Sequence, residues 1–306
     1  MKLIERICFP TDFGKSSEVA LKSVVSIAKK FGSEVNLVHV LPESMDFDKI
    51  QGFVNDKLAD YVKLLEAEGV KSTANLLHGN HADLLVSFAE RKKANLIVLG
   101  AGHIGKEKFK LGTNSEKIIR NASVPVWVIE KENVAIPNRV LCPIDFSDES
   151  MLALDSAIHL CRLFESELHL IHAVKRIDAQ YGEWGVDIAV EQAKMVKELE
   201  VELEDLTDQL DLNGITWSKS VILGDRAGAI LDVIKNENID LLMMASSGKG
   251  TLKRFFLGSV AERVSRKVPC SFIINKSKGM IHLKLDKGIT DIEAIYEDGL
   301  ELAKQG

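Results

Sequence analysis

Residues 241–264 read LLMMASSGKGTLKRFFLGSVAERV, and this stretch decides the fold. Its first four residues are an apolar run that predicts a buried strand, the next four are small and predict a loop, and Gly258 opens a helical pattern. Small residues let the backbone approach a ligand closely, and a helix start offers unpaired N–H groups and a positive dipole end. The stretch therefore predicts a strand, a loop and a helix suited to binding an anion. A connection whose glycines serve only its turn is the alternative.

The loop inside this stretch is basic, because Lys249, Lys253 and Arg254 lie between its glycines. Their position favours pairing with phosphate groups. A solvated charged face is the alternative interpretation.

Composition indicates a globular protein with enough chain for two cores. The chain has 306 residues, 46% of them hydrophobic, and a net charge of −6, which disfavours a general nucleic-acid binder. Its apolar runs are too short to span a membrane, and residues 1–13 lack the apolar core of a secretory signal. We therefore expect a cytoplasmic protein that binds neither nucleic acid nor membrane.

The four cysteines have no C-x-x-C spacing, and most lie in apolar runs typical of strands. This pattern favours buried thiols over disulfides or a zinc site. The cysteines are Cys8, Cys142, Cys161 and Cys270.

Short apolar strands alternate with helical patterns in the first half of the chain. Strands are predicted at 6–10, 35–41, 72–77, 96–99 and 126–129, and helices around 20–28, 46–67, 84–89 and 115–121. This alternation predicts an α/β fold in which parallel strands are covered by helices on both faces.

The same order restarts at Arg139, after a linker at residues 131–138. Residues 140–146, VLCPIDF, match ICFPTDF at 7–13, so Asp145 corresponds to Asp12, 133 residues earlier, and His172 corresponds to His39 at the same separation. The middle helix is predicted at 186–210 in the second copy, which makes it longer there than in the first. Each copy has enough strands and helices to close its own core, so the chain contains a duplicated domain and not a solenoid.

Three separated motifs in the second copy resemble the universal stress protein family, and the first copy resembles it as well. The family's nucleotide loop, G-x2-G-x9-G-[ST], appears as Ala245-x2-Gly248-x9-Gly258-Ser259, followed by VAERV at 260–264. The ending of the first strand, PIDFS at 143–147, and His172 in the second strand are the other two motifs. The resemblance covers residues 1 to about 275.

This resemblance implies two tandem doubly wound domains, each a five-stranded parallel sheet of order 3-2-1-4-5, with ATP at the point where the strand order reverses. Asp145 would approach the ribose or adenine, the Ala173 backbone would meet the base, and Met244 would flank it. The loop glycines and the residues after them would cradle the phosphates. The full set that the resemblance assigns to the nucleotide is Pro143, Asp145, Ala173, Met244, Ala245, Gly248, Gly258, Ser259 and Val260.

The function implied is that of a stress-response or regulatory binding protein that holds ATP, with or without Mg²⁺. We see no nucleophile–base pair, carboxylate dyad or Walker lysine-serine loop, so an efficient enzyme is not indicated. Weak ATP hydrolysis or autophosphorylation is left open. The alternatives are a scaffold that works through protein–protein contacts without nucleotide, and an enzyme that uses adenine nucleotides.

The first copy departs from the nucleotide motif more than the second. His103 stands at the position of the second glycine, the loop is one residue shorter, and Asn114 and Gly14 replace residues of the motif, although Gly112-Thr113 is retained. We therefore expect one ATP per chain, in the second copy. In that copy Ala245 replaces the family's first glycine, which costs about 1–2 kcal/mol only if the position needs a positive φ.

Several of these residues also have simpler interpretations. Asp12 and Asp145 could cap a helix or a turn without touching a ligand. His39 and His172 are expected to be hydrogen-bonded histidines near strand ends, with no metal. The aromatic side chains at 181 and 184 are expected to pack against the long helix, with a place at the pocket mouth as the alternative.

These observations predict domains at residues 1–132 and 139–275, with a strand and helix extension at 276–306. The last strand of each copy has an open apolar edge, so we expect the copies to pair as a pseudo-dimer within one chain, with a homodimer of chains also allowed. In the extension, an apolar stripe at residues 289–303 predicts docking on the same or a partner chain, with a frayed helix as the alternative.

Overall fold

The computed structural model describes residues 4–102, 111–130, 136–248 and 257–276. The strands of the first repeat are β1 (Arg6–Pro10), β2 (Glu34–Leu41), β3 (Ser72–His78), β4 (Leu96–Gly100) and β5 (Val126–Ile129). Its helices are α1 (Lys15–Phe31), α2 (Phe47–Ala67), α3 (His81–Arg91) and α4 (Thr113–Asn121). The strands of the second repeat are β6 (Arg139–Ile144), β7 (Glu167–Val174), β8 (Trp217–Leu223), β9 (Leu241–Ala245) and β10 (Ser271–Asn275). Its helices are α5 (Asp148–Phe164), α6 (Gln180–Glu183), α7 (Ile188–Asp208), α8 (Arg226–Asn236) and α9 (Ser259–Ser265).

Within the described residues the strands form a single sheet in the order β3-β2-β1-β4-β5-β10-β9-β6-β7-β8. Within each repeat, the strands follow the order 3-2-1-4-5 from the outer edge of the sheet to the boundary between the repeats. Neighbouring strands are parallel inside each repeat, and β5 and β10 pair antiparallel. The predicted α/β class with two repeats is confirmed.

Burial along the sheet explains why these sequences form these strands. All five residues of β9 are buried, and β4 and β5 are almost wholly buried, because helices cover both faces there. The end strands β3 and β8 are only half-buried and carry polar side chains. The chain therefore places its most apolar strands at the centre and its polar strands at the edges.

Each face of the sheet carries a buried apolar core, and each core contains side chains from both repeats. One core includes Val24 of α1 and Leu154 of α5, and the other includes Phe88 of α3 and Ile230 of α8. The two repeats consequently share their cores as well as their sheet.

The seam between the repeats, the β5–β10 pair, is the edge pairing that the open strand edges predicted. Trp127 lies opposite Ile273 in its register, and both are buried. Helices α4 and α9 flank the seam and are joined by two equivalent ion pairs. They are Glu116 to Arg266 and Arg120 to Glu262, each 3.2 Å between the charged atoms.

The segment before the long helix differs from expectation. Trp184 is 70% exposed and Tyr181 41% exposed, and they contact each other edge to face, so the prediction that they pack on the helix is wrong. The reason is that α7 buries only Leu203 and Thr207, both in its C-terminal half. Its N-terminal half buries no residue, so an aromatic ring has no apolar core to pack on there.

The four cysteines are buried free thiols, as their apolar contexts predicted. Burial raises the pKa of Cys8 and of Cys161 to about 12. Among the described residues, no helix has the length and apolarity needed to cross a membrane. The predictions for the extension at 277–306 concern residues outside those described.

Candidate functional site

A cavity of about 350 Å³ opens at the carboxyl ends of β6 and β9, where the strand order reverses. Open parallel α/β sheets generally bind ligands at this position. The cavity brings together all nine residues that the sequence motifs assigned to a nucleotide: Pro143, Asp145, Ala173, Met244, Ala245, Gly248, Gly258, Ser259 and Val260.

Asp145 is held by the turn that starts α5. Its Oδ1 accepts hydrogen bonds from the backbone N–H of Ser147, at 3.1 Å, and from the Ser147 hydroxyl. Ser147 is the N-cap residue and forms a capping box with Ser150. Phe146, between them, has φ of 56°, in the left-handed region. Asp145 is thus the turn residue of the simpler interpretation, and the same turn presents it to the cavity.

Gly248 approaches this aspartate closely. Its φ is not positive, yet a Cβ at this position would overlap Asp145 Oδ2. Gly258 caps α9, and a Cβ there would lie 3.4 Å from Ser246 O and from Ser247 Cα. The glycines therefore leave a bare backbone on one wall of the cavity.

Ala245 lies in β9 without a positive φ, so its methyl group adds no left-handed strain. The cost of about 1–2 kcal/mol, which was expected only if this position needed a positive φ, therefore does not apply. Its counterpart Gly100 differs, because a Cβ there would overlap the Ser16 backbone carbonyl. The first repeat needs its glycine for helix packing, and the second repeat does not.

His172 lies at the other end of the cavity and is hydrogen-bonded, as expected, from Nδ1 to the Ile144 carbonyl at 2.9 Å. Its ring packs on Phe146 with centroids 4.8 Å apart. Burial lowers the pKa of His172, against the opposing effect of its bond to Ile144. Neutral His172 therefore faces Glu202 and Arg226, which also line the cavity.

Sequence reasoning missed part of the lining. Leu199 and Glu202 come from α7. This helix has 21 residues, as does its counterpart α2, so the prediction of a longer middle helix in the second copy is wrong. The extra residues lie in the connections before and after α7, and they disrupt the sequence match between the two helices. Arg226 could have been found, since it follows the matched Gly224 and corresponds to His81. The other lining residues outside the assigned set are Ile144, Phe146, Ser150, His172, Ile230, Ser246, Ser247 and Ala261.

The first repeat has a cavity at the equivalent place, of about 630 Å³. Burial works to raise the pKa of Asp12 there, but hydrogen bonds from Ser17 and Gly14 outweigh it and hold the pKa below its usual range. Gly14 supplies no side-chain cap to α1, and Asp12 Oδ1 accepts hydrogen bonds from the Gly14 N–H, at 2.9 Å, and from the Ser17 hydroxyl, at 2.7 Å. His39 is bonded to the Thr11 carbonyl at 2.7 Å, as expected.

Residues 103–110 and 249–256 lie outside the described part of the chain. The predictions for His103, Lys249, Lys253 and Arg254 therefore concern positions that the structure does not describe. Within the described ranges, no group of three His, Cys, Asp or Glu side chains is placed to hold a metal ion.

The duplicated fold and its paired cavities agree with a comparison against family models. The model of the universal stress protein family matches residues 4–130 and again 137–276, which together cover most of the chain. The chain belongs to the universal stress protein family.

Relatives and solved structures support this assignment. Universal stress protein MJ0531 of Methanocaldococcus jannaschii is 36% identical over 142 residues, which are 42% of this chain and 84% of the relative. Universal stress protein YxiE of Bacillus subtilis is 31% identical over 146 residues, which are 45% and 97%. A universal stress protein structure from Archaeoglobus fulgidus has a TM-score of 0.67 at 23% identity and covers 89% of this chain and 98% of its own, which shows the shared tandem fold.

Proposed function

We propose that this universal stress protein binds ATP in its second repeat, residues 139–275, and acts as a regulatory binding protein of the stress response in the cytoplasm. The observation that carries the proposal is the convergence of the nine assigned residues on one cavity at the switch point of the sheet. A volume of about 350 Å³ lies within the range of about 300–1,000 Å³ that small-molecule sites occupy.

The chemistry of the lining matches the parts of a nucleotide. Met244, Ile230 and Leu199 offer apolar surface for a planar base, and Asp145 offers a carboxylate that accepts hydrogen bonds from ribose hydroxyls. The bare backbone at Gly248 and Gly258 leaves room for phosphates close to main-chain N–H groups.

The helix dipole is too weak to account for such a site. Micromolar binding requires about −8 kcal/mol, whereas a helix N-terminus contributes at most about 2 kcal/mol, and α9 has only seven residues. Most of the binding energy must therefore come from burial of the base and from hydrogen bonds to the phosphates. The position of the glycine backbone is decisive for the second of these.

Replacing Gly258 with valine tests the phosphate contacts. The branched side chain would meet Ser246 and Ser247 and fill the space next to the phosphates, so we expect ATP affinity measured by titration calorimetry to fall more than a hundredfold. Gly112→Val in the first repeat is the matched control, because a Cβ there meets nothing within 4 Å, and it should leave binding unchanged.

The same titrations locate the site. We expect one ATP per chain in the wild type. A stoichiometry near two, or binding lost in Gly112→Val and kept in Gly258→Val, would contradict the assignment to the second repeat. Asp145→Asn preserves an acceptor for Ser147 but removes the carboxylate, so it should weaken binding without loss of stability.

A further inference from the structure

A second, much smaller cavity lies between the two repeats, beside the seam. Its volume is about 30 Å³, and its walls include Trp127 of β5, His159 of α5 and Asn275 of β10. Trp127 comes from the first repeat, and the other two residues come from the second. The cavity is thus built jointly by both repeats.

Each of these three side chains has a buried nitrogen that finds no hydrogen-bond partner among the described residues. The atoms are Trp127 Nε1, His159 Nε2 and Asn275 Nδ2, and the residues are 1%, 9% and 5% exposed. Buried polar side-chain atoms in native proteins are nearly always hydrogen-bonded, to protein or to ordered water. The three side chains that carry these nitrogens line one cavity, so a single partner within it could satisfy all three.

The donor and acceptor roles of the three nitrogens fit one kind of partner. Trp127 Nε1 and Asn275 Nδ2 can only donate. His159 Nδ1 lies 2.8 Å from the Asp155 carbonyl, which can only accept, so Nδ1 carries a proton and Nε2 is the ring nitrogen left to accept. The partner must accept two hydrogen bonds and donate one, which a water molecule does.

The size of the cavity agrees with this chemistry. A water needs about 10–15 Å³ of such space, so 30 Å³ admits one or two waters and excludes any larger ligand. Structural waters typically make about three hydrogen bonds to groups that would otherwise be unpaired.

The polar set occurs on only one side of the pseudo-twofold relation. The positions that correspond to Trp127, His159 and Asn275 are Ile273, Ser26 and Ile129, two of which are apolar. Three unpaired polar groups on one side of the interface would contribute nothing to its stability unless they shared a hydrogen-bond partner.

We propose that this cavity holds an ordered water that accepts from Trp127 and Asn275, donates to His159, and so joins the two repeats through a hydrogen-bond bridge. The site is distinct from the nucleotide cavity, since it lies between the repeats and shares no lining residue with that cavity.

Magnetisation transfer from water to the Trp127 indole N–H, in the full chain labelled with ¹⁵N-tryptophan, tests the proposal. We expect a rotating-frame cross-peak between water and the Trp127 indole N–H, because an ordered water stays beside the indole long enough for magnetisation to be transferred. The sign of this cross-peak should be that of a dipolar contact and not that of chemical exchange. In His159→Leu, which replaces the acceptor with an apolar side chain, this cross-peak should fall at least threefold. Met243→Leu changes an apolar wall of the same cavity and should keep it.

A crystal structure of the wild type at 1.8 Å or better provides a reading that does not depend on the variants folding. Density within hydrogen-bond distance of both Trp127 Nε1 and His159 Nε2 would support the bridge. An empty cavity would overturn it, and so would a direct bond from Trp127 to a flipped Asn275 amide or a cross-peak unchanged in His159→Leu.

Discussion

At the scale of single residues, an Asp-Phe pair and a histidine recur in both repeats as one unit. Phe13 and Phe146 both take left-handed backbone conformations, at φ of 59° and 56°, a conformation that costs a non-glycine residue about 1–2 kcal/mol. Each ring packs on the histidine of the neighbouring strand, with centroids 4.9 Å and 4.8 Å apart. The turn that aims each aspartate at its cavity is therefore strained and supported by a packed histidine.

The lowered pKa of His172 predicts a loss of stability in mild acid. The unfolded chain takes up a proton near pH 6.5, the usual value for histidine, whereas the folded state resists it, so stability falls as the pH drops below about 6.5. Urea unfolding at pH 7.5 and 5.5 should show this loss in the wild type and a smaller loss in His172→Gln. An equal loss in both proteins would show that His172 is not responsible.

His81 belongs to the same measurement, because burial lowers its pKa too, with His39 adding to the effect. His81→Gln should reduce the acid sensitivity in the same direction. Aspartates with a lowered pKa, such as Asp12, act only in stronger acid, near and below about pH 4.

The residues of the candidate site were predictable to different degrees. Asp145 and the loop glycines could be predicted from short local motifs, because a tight turn or a close approach of the backbone favours particular residue types at adjacent positions. Glu202 is distant in sequence and reaches the cavity only because α7 packs above it, and no local pattern carries that information.

At the scale of elements, the C-terminal ends of α1 and α5 have the same backbone conformation but different residues. Both helices end on a left-handed residue that donates its N–H to the carbonyl four residues earlier, Gly32 at φ of 66° and Glu165 at φ of 58°. Glycine takes this conformation without strain and glutamate does not.

Glu165→Gly should therefore stabilise the protein by about 0.5–1 kcal/mol, since relief of left-handed strain exceeds the entropy cost of a new glycine. The midpoint of urea unfolding should rise with an unchanged slope. Gly32→Ala is the reciprocal control and should lower the midpoint, and a fall in Glu165→Gly would refute the argument.

Periodicity located nearly all of the helices and strands, because apolar spacing directly reflects which face is buried. It placed the start of α7 at residue 186, whereas the helix begins at Ile188 after the cap Asp187, and it did not predict α6. Both errors fall in an exposed segment, where no core imposes a pattern on the sequence.

At the scale of the whole molecule, the repeats share a sheet and two cores, although the sequence alone suggested two domains joined at their edges. The open edges of the last strands predicted the seam correctly. The ion pairs between α4 and α9 could not be predicted, because they depend on how the two repeats meet. These pairs are partly exposed, so each adds at most about 1 kcal/mol.

Shared cores predict that the repeats unfold in one cooperative step. Trp127 is buried in the seam, whereas Trp184 and Trp217 are more exposed, so a Trp184→Phe, Trp217→Phe variant reports on the seam alone. Its fluorescence transition in urea should coincide with the loss of helical circular dichroism. Two separated transitions would show that the repeats fold independently.

The antiparallel seam also has a consequence for dilution. Two separate chains that met by their edge strands would come apart as the protein became scarce, but here both strands belong to one polypeptide and their effective concentration is set by the linker. The cavity of the first repeat and the cavity of the second are therefore always present together in one molecule, whatever the abundance of the protein in the cell.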